Sequence, residues 1–362
     1  MRLKRLELWW RSLWIRLLVR LMRRPTDARP RWGTRPFRVL FLRHDRAGDM
    51  IVSTGVMRAI AHSHSTITLD VLASPANASI IDGADYVDHV LVFDKKRLSS
   101  YLPAFIRLRR ARYDAVVDCM VTAPSVTTLL LIFASGARYR IGIAGRGNDA
   151  AFNLTVPPDA RPGAHMVDLL APLAAAFDVD ATSVERQPML QISTAERDRA
   201  ESVWGARETR GRRGLINVSA GSSERVWPDE NYVTVMRHLR ALDAEITLRV
   251  IGAPAEADRT ARIARDGGGV AARTPGIRDA LSLVATADFV FTPDTSITHA
   301  ASAFRTSAVA IFLSDKVERW GLYGTAGENV QHSGPTLATL GVDRVLAAID
   351  RVWNHAVLSR RA

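Results

Sequence analysis

Residues 287–304 read ADFVFTPDTSITHAASAF, and their pattern sets the fold class. Asp288 precedes the apolar run Phe289–Phe291, which Pro293 bounds, as in a short buried strand. Asp294-Thr295-Ser296 then opens a small-residue segment, Ala300–Ala303, suited to a helix, with Asp294 or Thr295 as its N-cap. A strand that feeds a helix through a short polar turn aims free N–H groups and the positive end of the helix dipole at one point. Such a point attracts anions such as a diphosphate. Asp294, at the strand's carboxyl end, has two readings on the residues alone. It can cap the helix, or it can accept hydrogen bonds from sugar hydroxyls.

Moving outward, strand and helix patterns alternate twice. The first series begins at Phe37–Leu42 and runs through strands near 67–72, 89–93, 115–118 and 139–143, with helices at 51–62, 99–112, 124–135 and 165–177 between or after them. The second begins at Gly214–Val218 and continues through Ile246–Ile251, Val270–Ala271, 289–291 and Ala308–Phe312, ending in a helix over 341–353. Alternation of this kind predicts parallel, doubly wound sheets. Two such series predict an α/β chain of two facing Rossmann-like domains with ligands in the cleft beyond the strands' carboxyl ends. The expected boundaries are a basic helix and linker over 1–36, an N-terminal domain over 37–190 and a C-terminal domain over 191–340. A final segment, 341–362, is a candidate to cross back to the first domain.

The formal net charge is +12, and about ten of those charges lie in residues 1–38, where twelve Lys and Arg face only Glu7 and Asp27. The remainder is nearly balanced, which excludes the broad basic surface of a nucleic-acid binder. Leu3, Leu6, Trp10, Leu13, Trp14, Leu17 and Leu21 recur at helical spacing, with most arginines on the opposite arc. The uncharged run Ser12–Ile15 is far too short to span a bilayer, and arginines interrupt any signal-peptide core. Residues 1–24 therefore predict a helix lying on a membrane surface, or one packed on the body or on a partner subunit. Pro25–Pro36 reads as a linker. Cys119 is the one cysteine, so no intrachain disulfide forms, and it reads as a core residue of a protein in a reducing compartment.

Three further places carry chemistry. Asp49 follows the first strand in RHDRAGDM and is placed to take a proton from an incoming hydroxyl; a helix cap or an ion pair with Arg43 or Arg46 is the alternative. Ser219-Ala220-Gly221-Ser222-Ser223 follows the first strand of the second series, allowing close backbone approach to phosphate, with Arg225 adding a cation. It is not a P-loop, since GxxxxGK[ST] is absent. His299 lies one turn into the helix after Asp294, where it can touch a phosphate or hold the turn. Arg146, in the glycine-containing turn 142–147, is a candidate contact to an acidic ligand. His165 and Asp168 have the spacing of a metal-ligand pair but no supporting cluster, so no metal site is expected.

Together these pieces resemble glycosyltransferase family 9, the bacterial heptosyltransferases, over about residues 37–350. The motifs are VLFLRHDRAGDM with its Gly-Asp pair, YRIGI followed by AHMVDLL, SAGSSERVWP with a basic residue two places before Trp-Pro, and DTSITH in place of Asp-Thr-Gly-x-x-His. The resemblance implies a GT-B fold and an inverting, metal-independent sugar transfer with no cofactor beyond a nucleotide-sugar donor, by family default ADP-heptose. It implies Asp49 as general base, with Arg225, in place of the family's lysine, near the donor diphosphate. Asp294 would contact the donor sugar, and Thr295, Ser296, Ile297 and His299 would form the phosphate turn, joined by Ser219, Gly221 and Ser222. Arg43, Arg46 and Arg146 are the candidate acceptor contacts. The implied acceptor is a lipopolysaccharide core or related lipid-linked glycan at the cytoplasmic face of the inner membrane, which gives the N-terminal helix a use. Another nucleotide-sugar or glycan acceptor is one alternative. A membrane-tethered nucleotide-sugar-binding protein without activity, marked by Ser296, is another.

Overall fold

The computed structural model describes residues 13–22, 29–121, 124–145, 147–180, 182–205, 211–313 and 317–357. The chain divides into two units, Met1–Arg186 and Gln187–Ala362, four residues from the expected boundary at 190.

The first unit is a six-stranded parallel sheet in the order β3-β2-β1-β4-β5-β6. Its strands are β1 (Phe37–Arg43), β2 (Ile67–Ala73), β3 (His89–Val92), β4 (Ala115–Asp118), β5 (Tyr139–Ile143) and β6 (Leu154–Val156). β1 and β4 are apolar and buried along nearly their whole length, as strands covered on both faces must be. Its main helices are α1 (residues 13–22), α2 (Ala47–Ala61), α3 (Tyr101–Ala111), α4 (Val126–Ser135) and the short α5 (Met166–Leu170). The helix expected over 165–177 tightens at Ala171 into a 3-10 segment with Pro172 in its first turn.

The second unit repeats the plan. Its strands are β7 (Arg213–Asn217), β8 (Thr247–Ile251), β9 (Val270–Ala271), β10 (Phe289–Pro293), β11 (Ser307–Leu313) and β12 (Gly327–His332), all parallel, in the order β12-β11-β10-β7-β8-β9. Read from its own first strand, this is the same winding as the first sheet. Its helices are α6 (Thr194–Trp204), α7 (Asp229–Leu242), α8 (Ala257–Asp266), α9 (Ile277–Thr286), α10 (Ser296–Phe304), α11 (Val317–Trp320) and α12 (Val342–Val352). The two-Rossmann composition expected of a GT-B chain is therefore present. In each sheet the order reverses beside the first strand, between β1 and β4 and between β7 and β10, and ligands bind at such switch points.

Three expectations change. α12 turns Val345, Ala348, Ile349 and Val352 into the second unit's core, and Trp353 meets Phe289 edge-on at 5.7 Å. Residues 342–353 thus give their apolar face to the second unit's core; residues 358–362 lie outside the described residues. The supposed linker is anchored: Trp32 is 1% exposed, donates its indole N–H to the Ala176 carbonyl at 2.8 Å and stacks on Phe177. In the RIG segment, Gly142 leaves room for a ring, since a Cβ there would meet Phe152 at 2.6 Å.

The N-terminal helix is the third. In the described part of α1, Met22 is buried, and Ile15, Leu18 and Val19 pack on the first unit's core. At 100° per residue these four form one stripe. Leu13, Trp14, Leu17 and Leu21, the face singled out in the sequence, form a second apolar stripe that stays exposed, and Arg16 and Arg20 lie between the two. One stripe packs on the body, as one of the two readings had it; the other faces solvent. No helix among the described residues is long and apolar enough to cross a membrane.

Candidate active site

At the switch point of the second unit, strand ends and a helix start are tied by side chains. Asn217, the last residue of β7, donates through Nδ2 to Thr292 Oγ1 at 2.9 Å and to Thr295 Oγ1 at 3.0 Å. It is almost fully buried. Thr295 is the N-cap of α10, its hydroxyl accepting the Ile297 N–H at 3.3 Å. Of the two candidate caps, then, Thr295 serves, and Asp294 is released for another role. Its carboxylate pairs with the Arg225 guanidinium at 2.8 Å, both side chains largely buried. Arg225 reaches there from the 3-10 turn Ser223–Arg225, past Gly221. A guanidinium and the N-terminus of a nine-residue helix thus converge on one spot, a favourable place for a diphosphate.

A pocket of about 320 Å³ adjoins this spot, lined by Asn217, Ser219, Ala253, Thr274, Thr295, Ser296 and Ile297 among others. That is the lower range for a small-ligand site. Ser219 Oγ accepts the Ala253 N–H at 2.7 Å and so shapes its wall. Ser222 is exposed. His299 is buried and meets Trp320 edge-on at 5.8 Å, which suits a residue that steadies the turn. Ser296 begins the helix, and among the described residues the non-glycine positions with positive φ are Arg112, Asp178 and Arg305. Its Cβ therefore brings no backbone strain in place of the family glycine.

In the first unit, the loop after β1 enters α2, and Asp49 sits in the helix's first turn. Its Oδ2 accepts the Arg46 N–H at 3.3 Å, so it does cap the helix, while its side chain remains half-buried. Burial pushes its carboxyl up; the Arg43 guanidinium pulls against this, and Asp45 adds to it. A base raised toward the working pH is well suited to accept a proton. Arg43, a candidate acceptor contact, is 3% exposed. It donates through Nε to the Asp49 carbonyl at 2.8 Å and pairs with Asp45 at 3.1 Å. It holds the base in place from beneath, whereas Arg46 is exposed. Arg146 lies outside the described residues.

The remaining sequence candidates have local partners. His165 caps α5, its Nδ1 accepting the Val167 N–H at 3.2 Å. Asp168 is held by Arg186 at 2.8 Å and Arg161 at 3.4 Å. Cys119 is buried, with Sγ donating to the Leu42 carbonyl.

Two residues that the sequence reading passed over stand at the switch points. One is Asn217. The other is Asp118, the last residue of β4, level with Leu42 of β1 and only 3% exposed. Both end a buried apolar run with a polar side chain, the signal that finds them. Burial drives the Asp118 carboxyl up to about 7, with the Met120 N–H and Arg43 opposing. Its folded value lies above the unfolded one near 4, so between those pH values the folded chain holds a proton that the unfolded chain has lost. The associated stability is fully present below about pH 4 and is lost as pH rises through 7. Relative to Asp118→Asn, the wild type is expected to lose about 2–3 kcal/mol between pH 5 and pH 8 in urea denaturation. Parallel stability curves for the two proteins would contradict this.

The family model "Glycosyltransferase family 9 (heptosyltransferase)" matches residues 104–342. No curated protein matches the sequence. Among solved structures, the family 9 glycosyl transferase of Veillonella parvula is similar with a TM-score of 0.78 and 14% identity, over 90% of this chain and 99% of that one. E. coli ADP-heptose LPS heptosyltransferase II has a TM-score of 0.68 and 16% identity, over 90% of this chain and 100% of its own. E. coli heptosyltransferase WaaC, solved with ADP, has a TM-score of 0.68 and 17% identity, over 87% of this chain and 100% of its own. At these identities the structural likeness speaks for the fold.

Proposed function

The chain belongs to glycosyltransferase family 9 and is a glycosyltransferase, and from that premise we propose an inverting, metal-independent transfer of heptose from ADP-heptose to a lipid-linked glycan of the lipopolysaccharide-core type. The observation that carries this reading is the convergence of Arg225, Asp294 and the α10 N-terminus beside a pocket of nucleoside size. The nucleoside enters that pocket. The diphosphate lies against the α10 N-terminus at the Ser296 N–H and against Arg225, and Asp294 turns to the sugar. The acceptor hydroxyl gives its proton to Asp49 as its oxygen attacks the anomeric carbon, and the carbon–phosphate-oxygen bond breaks on the other side. The negative charge that gathers on the leaving diphosphate is met by Arg225 and the helix N-terminus, so the scheme needs no metal ion.

The adenine and heptose proposed for the donor rest on the family default and on two structures of one relative, E. coli heptosyltransferase WaaC, with ADP and with ADP-2-deoxy-2-fluoro heptose. A panel of nucleotide-sugars tests this directly. ADP-heptose is expected to exceed UDP- and GDP-sugars by at least about tenfold in kcat/KM. A reversed order would replace the donor while leaving the transferase. Ordinary backbone at Ser296 argues against the inactive, binding-only alternative. We also propose that the chain works at the cytoplasmic face of the inner membrane. The basic excess of residues 1–38 and the exposed apolar stripe of α1 support a peripheral attachment there.

A further inference from the structure

The exposed stripe of α1 is not isolated. Leu102 and Ile106 stand exposed on α3, Leu98 just before it, and Phe133, at 60% exposure, on α4. Between these helices opens a pocket of about 870 Å³, mostly apolar, with Leu21, Ile106 and Phe133 in its wall and Arg109 and Arg110 beside them. Its size is well within the range of sites that bury an apolar ligand. Arg109 lies over Gly136, whose missing side chain leaves the guanidinium its place.

Charge limits what can sit here. None of α1, α3 and α4 carries an Asp or Glu among its described residues, while Arg16, Arg20, Arg107, Arg109 and Arg110 are exposed on the first two. An apolar opening ringed by cations fits an amphiphile with an anionic head. Arginine stems also lie along apolar surface while their heads stay in water. Trp14 at the outer edge has the character of a side chain that settles at the level of lipid headgroups.

We infer that α1, α3 and α4 of the first unit form one bilayer-docking surface, whose pocket takes an acyl chain of an anionic phospholipid with Arg109 and Arg110 on the phosphate. This rests on the membrane attachment proposed above and extends it from the N-terminal helix to a built lipid site in the globular body. It makes no use of Asp49 or the donor turn.

The test floats the full chain with vesicles of phosphatidylcholine alone and with 30% phosphatidylglycerol added. Each arginine near an anionic surface strengthens binding about fivefold. Arg109→Glu with Arg110→Glu is therefore expected to weaken binding to the anionic vesicles at least about twentyfold. Ile106→Glu with Phe133→Glu, both at exposed sites, should weaken it about tenfold or more. Trp fluorescence added by Phe133→Trp should be quenched by phospholipid carrying a nitroxide along its chain. Wild-type affinity in both double variants, with loss only in Trp14→Glu, would reduce the surface to α1 and overturn the lipid site. Failure of the wild type to prefer anionic vesicles, or concentration-dependent self-association through this face, would overturn it too. Transfer to a soluble, deacylated acceptor should stay within about twofold in every variant. Absence of that transfer in the wild type would instead count against the proposed reaction.

Discussion

Asp49→Asn is expected to lower the rate of sugar transfer about 10²–10⁴-fold, the range for removing a positioned general base. Asn keeps the shape and can still accept the Arg46 N–H that caps α2, so the fold should stand. What it cannot do is take a proton from the acceptor hydroxyl. Donor affinity, measured by titration with ADP, should change less than about twofold, because the pocket proposed for the nucleotide is lined by residues of the second unit. The surroundings of Asp49 add a pH signature. Its carboxyl is raised by burial and restrained by Arg43, and only the ionised form acts as base. The acid limb of kcat/KM should therefore sit above the ordinary carboxylate range. Near-normal turnover in Asp49→Asn would remove the residue from the mechanism.

Arg225→Ala is expected to cost about 10²–10³-fold in kcat, as for loss of one preorganised group facing charge that develops in the transition state. The change does two things at once. It withdraws the cation meant for the leaving diphosphate, and it takes the guanidinium at 2.8 Å away from the Asp294 carboxylate. A largely buried carboxylate whose charge Arg225 no longer offsets repels phosphates, so donor affinity should fall as well. Asp294→Asn in the same chain should restore part of the affinity but little of the rate. Arg225→Lys keeps the charge and loses the two-pronged geometry, so it should fall between wild type and Ala. Equal rates for wild type and Arg225→Ala would mean that the helix N-terminus alone carries the leaving group.

Much of this was readable before any coordinates. Runs such as FRVLFLR, AVVD and FVFTP are largely apolar because both faces of a parallel sheet are covered, so they stand out against the amphipathic helices between them. The sixth strand of each sheet did not stand out. β6 has three residues and β12 reads GENVQH, an edge strand whose polarity hides it in a loop-like sequence. Among the candidate residues of the two units, Asp49, Arg225 and Asp294 stand out in the sequence because each follows a strand within a short motif. Asp118 does not, since its raised carboxyl comes from burial at the end of β4, level with Leu42 of β1, a relation of register that spacing along the chain does not carry. The same holds for α1: periodicity reveals an apolar helix with cations, but not which of two apolar stripes the body claims. Trp32, set among Pro and Arg, gave no local hint of its seat on a segment far along the chain.

That seat has a consequence for synthesis. The bond from Trp32 to the Ala176 carbonyl spans 144 residues. At about 5–20 residues per second of translation, the N-terminal helix leaves the ribosome roughly 7–30 s before this clasp can close. Until the chain has been made as far as Phe152, the core on which its inner stripe packs is incomplete. A nascent chain in this state will hold to whatever apolar phase is nearest, and the rest of the polypeptide is then built from a point already fixed. In a cell making the protein beside a bilayer, attachment would precede folding, and the finished body would settle onto its own helix instead of delivering it.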